Sequence, residues 1–342
     1  MLRNTTESLQ TIYTPIGKDL ERVESILYDQ FHSDYPFINT LAEHGLRLAG
    51  KRVRPAIVLL TGLSCGKLTD DHRTMAAVVE MLHTATLVHD DVLDESKMRR
   101  HVSTLNTLFD NETAVLFGDY LLARAIRMAM TVRRDDIPSI LAETTQWIVE
   151  GELRQVGSRG NYAISEQEYE SIIRGKTAAL CACCAKLGAI LADAEDEQVE
   201  ACREYAESLG VAFQIADDIL DLRGNEDEVG KSLGTDIEKR KTTLPLIHLL
   251  RTASAADRQE IDRLLEQPSL ETRLKLLPWF QKYESGNYAR GRAEAFIAKA
   301  QSALDRMDAM NRANGDRALA DQRGVAIESL RRLAEFTIAR RH

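Results

Sequence analysis

The sequence predicts an all-α protein. Aromatic residues make up only 6% of the chain, there are 7 prolines in 342 residues, and long stretches are rich in Ala, Leu, Glu and Arg. Unbranched side chains of this kind lose little rotamer freedom on a helix, so the composition favours helix over strand. Hydrophobic residues form 44% of the chain, enough for an extensive core with a large buried site. No break in composition marks a second domain, so a single domain over residues 1–342 is expected.

Residues 17–47 carry Leu20, Val23, Ile26 and Leu27 at helical spacing, with an interruption around Pro36, and a turn at Gly50 opens a basic segment. From Thr74 to Leu93 the chain reads TMAAVVEMLHTATLVHDDVL, apolar nearly all round and therefore an interior helix that ends in carboxylates. A polar connection, ESKMRRHVSTLNTLFDNE, leads to a second buried helix, AVLFGDYLLARAIRMAM, and then to Pro138 and a helix ending near GELRQ. The same grammar returns in ESLGVAFQIADDILDL, followed by a highly charged Gly-containing loop over residues 223–243 that reads as a lid for an anionic ligand. From about 286 to 341, Ala, Leu and Arg at helical spacing indicate packing helices.

The net charge of -9 argues against nucleic-acid binding, which needs an excess of Lys and Arg over a whole face. Any anion site is local. The segment from Met1 to Thr14 has no apolar core, and no later run reaches the roughly 20 apolar residues needed to span a bilayer. A cytoplasmic protein without a transmembrane segment is expected. Cys181, Cys183 and Cys184 lie in an apolar helix of small residues, where spacings of one and two do not present a tetrahedral zinc cage. Like Cys65 and Cys202, they read as small buried hydrophobes.

Asp90, Asp91 and Asp94 are spaced i, i+1, i+4, and Asp217, Asp218 and Asp221 repeat that spacing. On a helix the first and third stack one turn apart while the second points aside. Each triplet closes an apolar helix, where clustered carboxylates repel one another and lose hydration. One such triplet reads most simply as a solvated helix end; two matching copies point to a cation between them. Oxygen-only ligands suit a hard ion, and magnesium binds one or two carboxylates while leaving room for water and phosphate oxygens. Lys51, Arg52, Arg54, Arg99, Arg100, Lys231 and Lys241 cluster near these motifs in sequence and are suited to a diphosphate. His83, on the same apolar helix as the first triplet, reads on its own as a satisfied core histidine.

Together the segments AGKRVRP, EMLHTATLVHDDVLDESKMRR, GDYLLARA, EGELRQ, GKTAAL, FQIADDILDL and VGKSLGTDIEKRKTTLPLI resemble the trans-polyprenyl diphosphate synthase family, in that family's order, from about residue 49 to 250. The resemblance implies an isoprenoid-synthase-type helical bundle around a deep central cavity, usually a homodimer. It also implies magnesium, three ions with bound diphosphate, and two substrates, isopentenyl diphosphate and an allylic diphosphate such as farnesyl diphosphate. Carried over by position, Lys51, Arg54, His83 and Arg100 match the isopentenyl diphosphate site. Arg99, Lys176, Thr177, Gln214, Lys231 and Lys241 match contacts to the allylic substrate. The two Asp triplets match the metal motifs, with a water-mediated role open to Asp221, and Glu152 and Gln155 match the family's GExxQ segment without an assigned role. The resemblance makes Asp90, Asp91, Asp94, Lys176, Asp217 and Asp218 the groups that carry catalysis.

Two departures stand out. His101, Val102, Ser103 and Thr104 replace the usual Gly-x-Pro-Thr, so the family's turn chemistry is missing after Arg100, and Ala49 replaces a common glycine. Ala85 and Thr86, five and four residues before Asp90, match positions that limit chain growth in the family. Neither is aromatic, so a product longer than farnesyl is expected, in the hexaprenyl to octaprenyl range, with Met128 or Met130 as deeper floor candidates. The alternatives are a geranylgeranyl-length synthase, a terpene cyclase, against which GKRVRP argues, and a non-catalytic subunit of a heteromeric enzyme.

Overall fold

Helix is the observed state almost everywhere that the sequence predicts it. A computed structural model of the chain describes residues 9–48, 50–223, 233–313 and 317–339. Its main helices are α1 (Gly17–Phe31), α2 (Pro36–Leu48), α3 (Val53–Cys65), α4 (Asp70–Leu93), α5 (Asn111–Ala129), α6 (Asp136–Gly157), α7 (Glu166–Ile173), α8 (Ala179–Leu191), α9 (Asp196–Arg223), α10 (Leu244–Thr252), α11 (Ala255–Glu266), α12 (Leu270–Lys282), α13 (Ser285–Ala313) and α14 (Arg317–Ile338). Among the described residues the strands are β1 (Met98–Arg99) and β2 (Val102–Ser103). No helix of the described residues is long and apolar enough to cross a membrane.

The helices fall into two compact units. The first comprises Met1–Glu143, Leu180–Ala206 and Ser302–Leu333; the second comprises Thr144–Ala179, Glu207–Gln301 and Ala334–His342.

In the first unit α4 packs on α5, α3 and α1. α3 is buried from Pro55 to Cys65 without interruption, and each Leu, Ile or Val so enclosed contributes about 1.5–3 kcal/mol of transfer free energy. α4 starts where Thr69 and His72 form a reciprocal cap, satisfying donors that a helix start leaves open. Cys65, Cys181, Cys183, Cys184 and Cys202 are all free and buried, in keeping with a packing role. Tyr205 is fully enclosed, and its hydroxyl donates to the Leu330 carbonyl at 2.8 Å, as a buried phenol requires.

The second unit has its own core, built on Leu222, Ile237, Leu246, Leu249, Ile261, Leu276 and Phe280. α10 and α11 pack on α12, and α10 also meets α7. α7 passes into a π-helical turn at Arg174–Ala178. A wide turn of this type often accompanies a functional site, and this one carries Lys176 and Thr177.

Candidate active site

The first acidic motif ends α4. Carboxylates at a helix C-terminus face the negative end of the helix dipole, so this placement needs nearby positive charge. Arg99 supplies it. Asp91 is almost fully enclosed, 2% exposed, and Arg99 Nε reaches its two oxygens at 2.9 and 3.1 Å while Nη2 lies at 2.8 Å. Burial alone lowers the Arg99 pKa, but the hydrogen bond to Asp91 and the charges of Asp91, Asp90 and Asp94 outweigh it and raise the value. Asp90 and Asp94 remain half-buried one turn apart. Two residues that the resemblance assigns to metal and substrate, Asp91 and Arg99, thus pair with each other.

The polar connection around Arg99, expected to lack the family's usual turn chemistry, contains a hairpin. Met98 pairs with Ser103 and Arg99 with Val102, joined by Arg100 and His101 at φ of 52° and 63°. A two-residue hairpin favours positive φ at both turn positions, usually through Asn-Gly or Asp-Gly; two side-chain-bearing residues with neither signal explain why the sequence reading missed it. Surrounding bonds hold it. The Thr104 hydroxyl donates to the Ser96 carbonyl at 2.6 Å, Thr104 N–H to the Lys97 carbonyl at 3.1 Å, and His44 Nε2 to the Ser103 carbonyl at 2.6 Å. Arg100 lies over Gly50, where an added Cβ would sit 2.0 Å from Nη1. A side chain there would displace the guanidinium, the far end of a flexible arm.

Basic residues of the GKRVRP segment have divided roles. Arg52 has φ of 51°, and its guanidinium bridges Glu24 at 2.7 Å and buried Glu80 at 2.9 Å. That ion-paired network occupies it structurally. Arg54, two residues on, has a buried Nε with no hydrogen-bond partner among the described residues, an orphaned donor that is costly unless an acceptor arrives. Lys51 is exposed, and its carbonyl accepts from the Tyr13 hydroxyl at 3.0 Å. His83 is held well below its ordinary value of 6.5 by burial and by the positive charges of Arg54, Arg100, Arg99 and Arg52. It is therefore a neutral imidazole within an arginine cluster, a setting that periodicity could not distinguish from plain core.

The second motif, on α9, is organised differently. Asp218 is enclosed, accepting from the Tyr169 hydroxyl at 2.5 Å and from Gln214 Nε2 at 2.8 Å. Its carboxyl is pushed up to about 8, by burial first and then by the charge of Asp236, with Asp217 adding to it. Gln214 in turn accepts from the Thr177 hydroxyl at 2.7 Å. Asp221 accepts from the Thr235 hydroxyl at 3.1 Å and from Asp236 N–H at 3.3 Å, so it anchors the short helix Thr235–Glu238. Lys241 Nζ lies 3.5 Å from Asp236. Lys231 and residues 224–232 of the expected 223–243 lid lie outside the described residues.

Lys176 is held by the segment for which the resemblance offered no role. Its Nζ is 2.5 Å from Glu152 and 2.8 Å from Gln155 Oε1. This needs α6 and the π-turn to touch: a Cβ on Gly151 would lie 2.4 Å from Lys176 N. The sequence reading missed Tyr169, Asp236 and the anchoring roles of Glu152 and Gln155, because each depends on contacts between elements and none forms a repeated pattern.

The donor set fits a hard divalent cation. Among the described residues no three His, Cys, Asp or Glu side chains converge into a ready-made cage, and magnesium ordinarily takes one or two carboxylates and completes its shell with water and phosphate. The carboxyl of Asp218, raised by burial first and then by its acidic neighbours, is one whose charged form a cation would favour. Of the chain-length candidates, Ala85 is buried and Thr86 half-buried, with its hydroxyl bonded to the His83 carbonyl at 2.8 Å. Met128 is buried in the first unit, whereas Met130 is 64% exposed and forms no part of that unit's core. Met130 lies just past the end of α5, which takes it out of the interior as a floor residue.

A family model described as polyprenyl synthetase matches residues 35–276. The chain belongs to the polyprenyl synthetase family. Octaprenyl diphosphate synthase of Escherichia coli is 35% identical over 298 residues, 87% of this chain and 92% of that protein. A crystal structure of a decaprenyl diphosphate synthase from Rhodobacter capsulatus superposes with a TM-score of 0.87 at 32% identity, covering 98% of this chain and 100% of that one. A polyprenyl synthase from Caulobacter crescentus, complexed with calcium and isoprenyl diphosphate, gives a TM-score of 0.89 at 29% identity, covering 99% and 100%. As a member of the polyprenyl synthetase family this chain is an enzyme, a prenyltransferase, with an all-α isoprenoid-synthase fold.

Proposed function

We propose that this prenyltransferase is magnesium-dependent and joins an allylic prenyl diphosphate to isopentenyl diphosphate, head to tail, giving a polyprenyl diphosphate longer than farnesyl. The observation that carries this reading is the orphaned guanidinium Nε of Arg54 beside a neutral His83 in an arginine cluster. A cyclase has no need of that second anion site. Lys51, Arg54, His83 and Arg100 hold isopentenyl diphosphate. Arg99, Lys176, Thr177, Gln214, Lys231 and Lys241 hold the allylic substrate, and Asp90, Asp91, Asp94, Asp217 and Asp218 hold magnesium, with Asp221 acting through water.

Bound magnesium would supply the charge that stabilises the diphosphate as the allylic carbon–oxygen bond ionises. Lys176, fixed by Glu152 and Gln155, keeps its ammonium against the leaving diphosphate, a preorganised charge that needs no rearrangement as the reaction proceeds. Thr177, tied to Gln214, orients that same element. The allylic cation is captured by the double bond of isopentenyl diphosphate, and the proton then lost passes to the released diphosphate.

The small side chain of Ala85 and the octaprenyl and decaprenyl products named for the relatives support a medium or long chain, in the hexaprenyl to octaprenyl range. Replacing Ala85 by Phe is expected to shorten the product, and an unchanged length would reject that assignment. Exposed apolar side chains, Leu116 and Ile126 on α5 and Trp147 and Leu153 on α6, support a homodimer, because monomers seldom leave such faces open to water. Five free cysteines accord with a reducing cytoplasmic setting, and coverage of nearly the whole of both solved relatives supports a single polyprenyl synthase domain. The test is product analysis with farnesyl diphosphate, labelled isopentenyl diphosphate and magnesium. A ladder ending in one long product, absent in Asp90→Ala, supports the reading; no incorporation by the wild-type chain rejects it and favours a non-catalytic subunit.

A further inference from the structure

Asp218 has both of its carboxylate oxygens engaged by neutral protein donors. Gln214, one turn earlier on α9, gives Nε2–H to Oδ1 at 2.8 Å, and Tyr169 on α7 gives its hydroxyl to Oδ2 at 2.5 Å. Tyr169 is 4% exposed and Asp218 5%, so water competes little for either bond. An ionised carboxylate has about four lone-pair sites. One donor on each oxygen therefore stops rotation of the group and still leaves a lone pair on each oxygen for a cation. The two donors come from different elements, α7 and α9, so the orientation of Asp218 is set by how these helices pack and not by α9 alone.

We propose that Tyr169 is a positioning residue for the second aspartate motif: its buried hydroxyl fixes the Asp218 carboxylate in the orientation that receives a divalent cation and the allylic diphosphate. This rests on the function proposed above. The consequence is specific to one substrate. Tyr169 is linked through Asp218 and Gln214 to Thr177, a residue assigned to the allylic substrate. Loss of the hydroxyl acts on magnesium and the allylic substrate and leaves isopentenyl diphosphate alone. Groups that orient a metal ligand from behind typically change metal affinity by about 10–100-fold when removed.

The experiment is steady-state kinetics of Tyr169→Phe, with Mg2+ and each substrate titrated separately and circular dichroism confirming helix content. Phe preserves the buried ring. The expected result is a Mg2+ half-saturation and an allylic KM raised about tenfold or more, an isopentenyl diphosphate KM within about twofold, and recovery of kcat at saturating Mg2+. A merely structural loss would lower kcat irrespective of Mg2+. Binding of an allylic diphosphate analogue in an Asp218→Ala background gives the second measurement: there Tyr169→Phe is expected to add less than about a twofold change, since the acceptor of its hydroxyl is gone. Wild-type Mg2+ half-saturation in Tyr169→Phe, or an equal effect in both backgrounds, overturns the inference. Absence of Mg2+-dependent incorporation by the wild-type chain would instead sink the functional reading on which it stands.

Discussion

The two aspartate motifs have the same spacing and opposite electrostatic surroundings. On α4, Asp91 is neutralised within its own unit by Arg99, and the nearby hairpin places Arg100 over Gly50. On α9, Asp218 is met by a phenol and an amide, with Asp236 and Asp217 as charged neighbours. Of the two, Asp91 is held by a cation of its own unit, and Asp218 is held by two neutral donors. A repeated motif therefore does not imply a repeated setting: Asp91 sits in an ion pair, and Asp218 sits between neutral hydrogen-bond donors.

The largest expected effect tests whether both clusters are needed in spite of that difference. Asp90→Ala and Asp217→Ala are each expected to lower kcat/KM by roughly 10²–10³-fold, the loss typical of one preorganised electrostatic group. Near-normal turnover by either variant would break the comparison.

A pH experiment sharpens it. The Asp218 carboxyl rises from an ordinary 3.8 to about 8 in the folded chain. Between those values the folded state keeps a proton that the unfolded state has released, so stability contributed by this group falls as pH rises through that window and levels off above it. Denaturant unfolding without divalent ions is expected to follow that direction relative to Asp218→Asn. If Asp218 holds Mg2+, as proposed, the ion must displace that proton, and its stabilising effect is expected to be greater at about pH 9 than at about pH 6. A Mg2+ effect independent of pH would contradict binding of the ion at the raised Asp218 carboxyl.

Gly50→Ala addresses the first cluster. An added methyl forces the Arg100 guanidinium aside, and the isopentenyl diphosphate KM is expected to rise about tenfold, the equivalent of one charged hydrogen bond. The allylic KM stays near wild type. A change confined to the allylic KM would move Arg100 to the other substrate.

The smallest effect separates Asp221 from its neighbours. Asp221→Asn weakens acceptors used by Thr235 and Asp236 N–H, and about 1 kcal/mol of stability is expected to be lost, seen as a melting shift of a few degrees. Mg2+ half-saturation should scarcely move. A rise as large as that in Asp217→Asn would make Asp221 a direct ligand.

Much of this molecule was legible in its residues. Apolar periodicity located the buried α4 and α9, and carboxylates at their ends singled out Asp90, Asp91, Asp94, Asp217, Asp218 and Asp221, because burying like charges is too costly to be incidental. The C-terminal helices, expected from about 286 to 341, appear as α13 and α14. The hairpin after Arg99 was not legible, since its turn uses Arg and His where local rules favour Asn or Gly. Nor was the division of labour in GKRVRP: Arg52 and Arg54 differ in what the fold sets beside them, two glutamates for one and, among the described residues, no partner for a buried donor of the other.

By itself the sequence determined the helical class, the family resemblance and the identity of the chemical groups, since these follow from residue types and short-range spacing. Only the tertiary structure decided how those groups are used. It paired Arg99 with Asp91, held Lys176 between Glu152 and Gln155, and set Tyr169 against Asp218. Each such bond joins residues from separate elements, and its geometry is fixed by helix packing that no local pattern encodes.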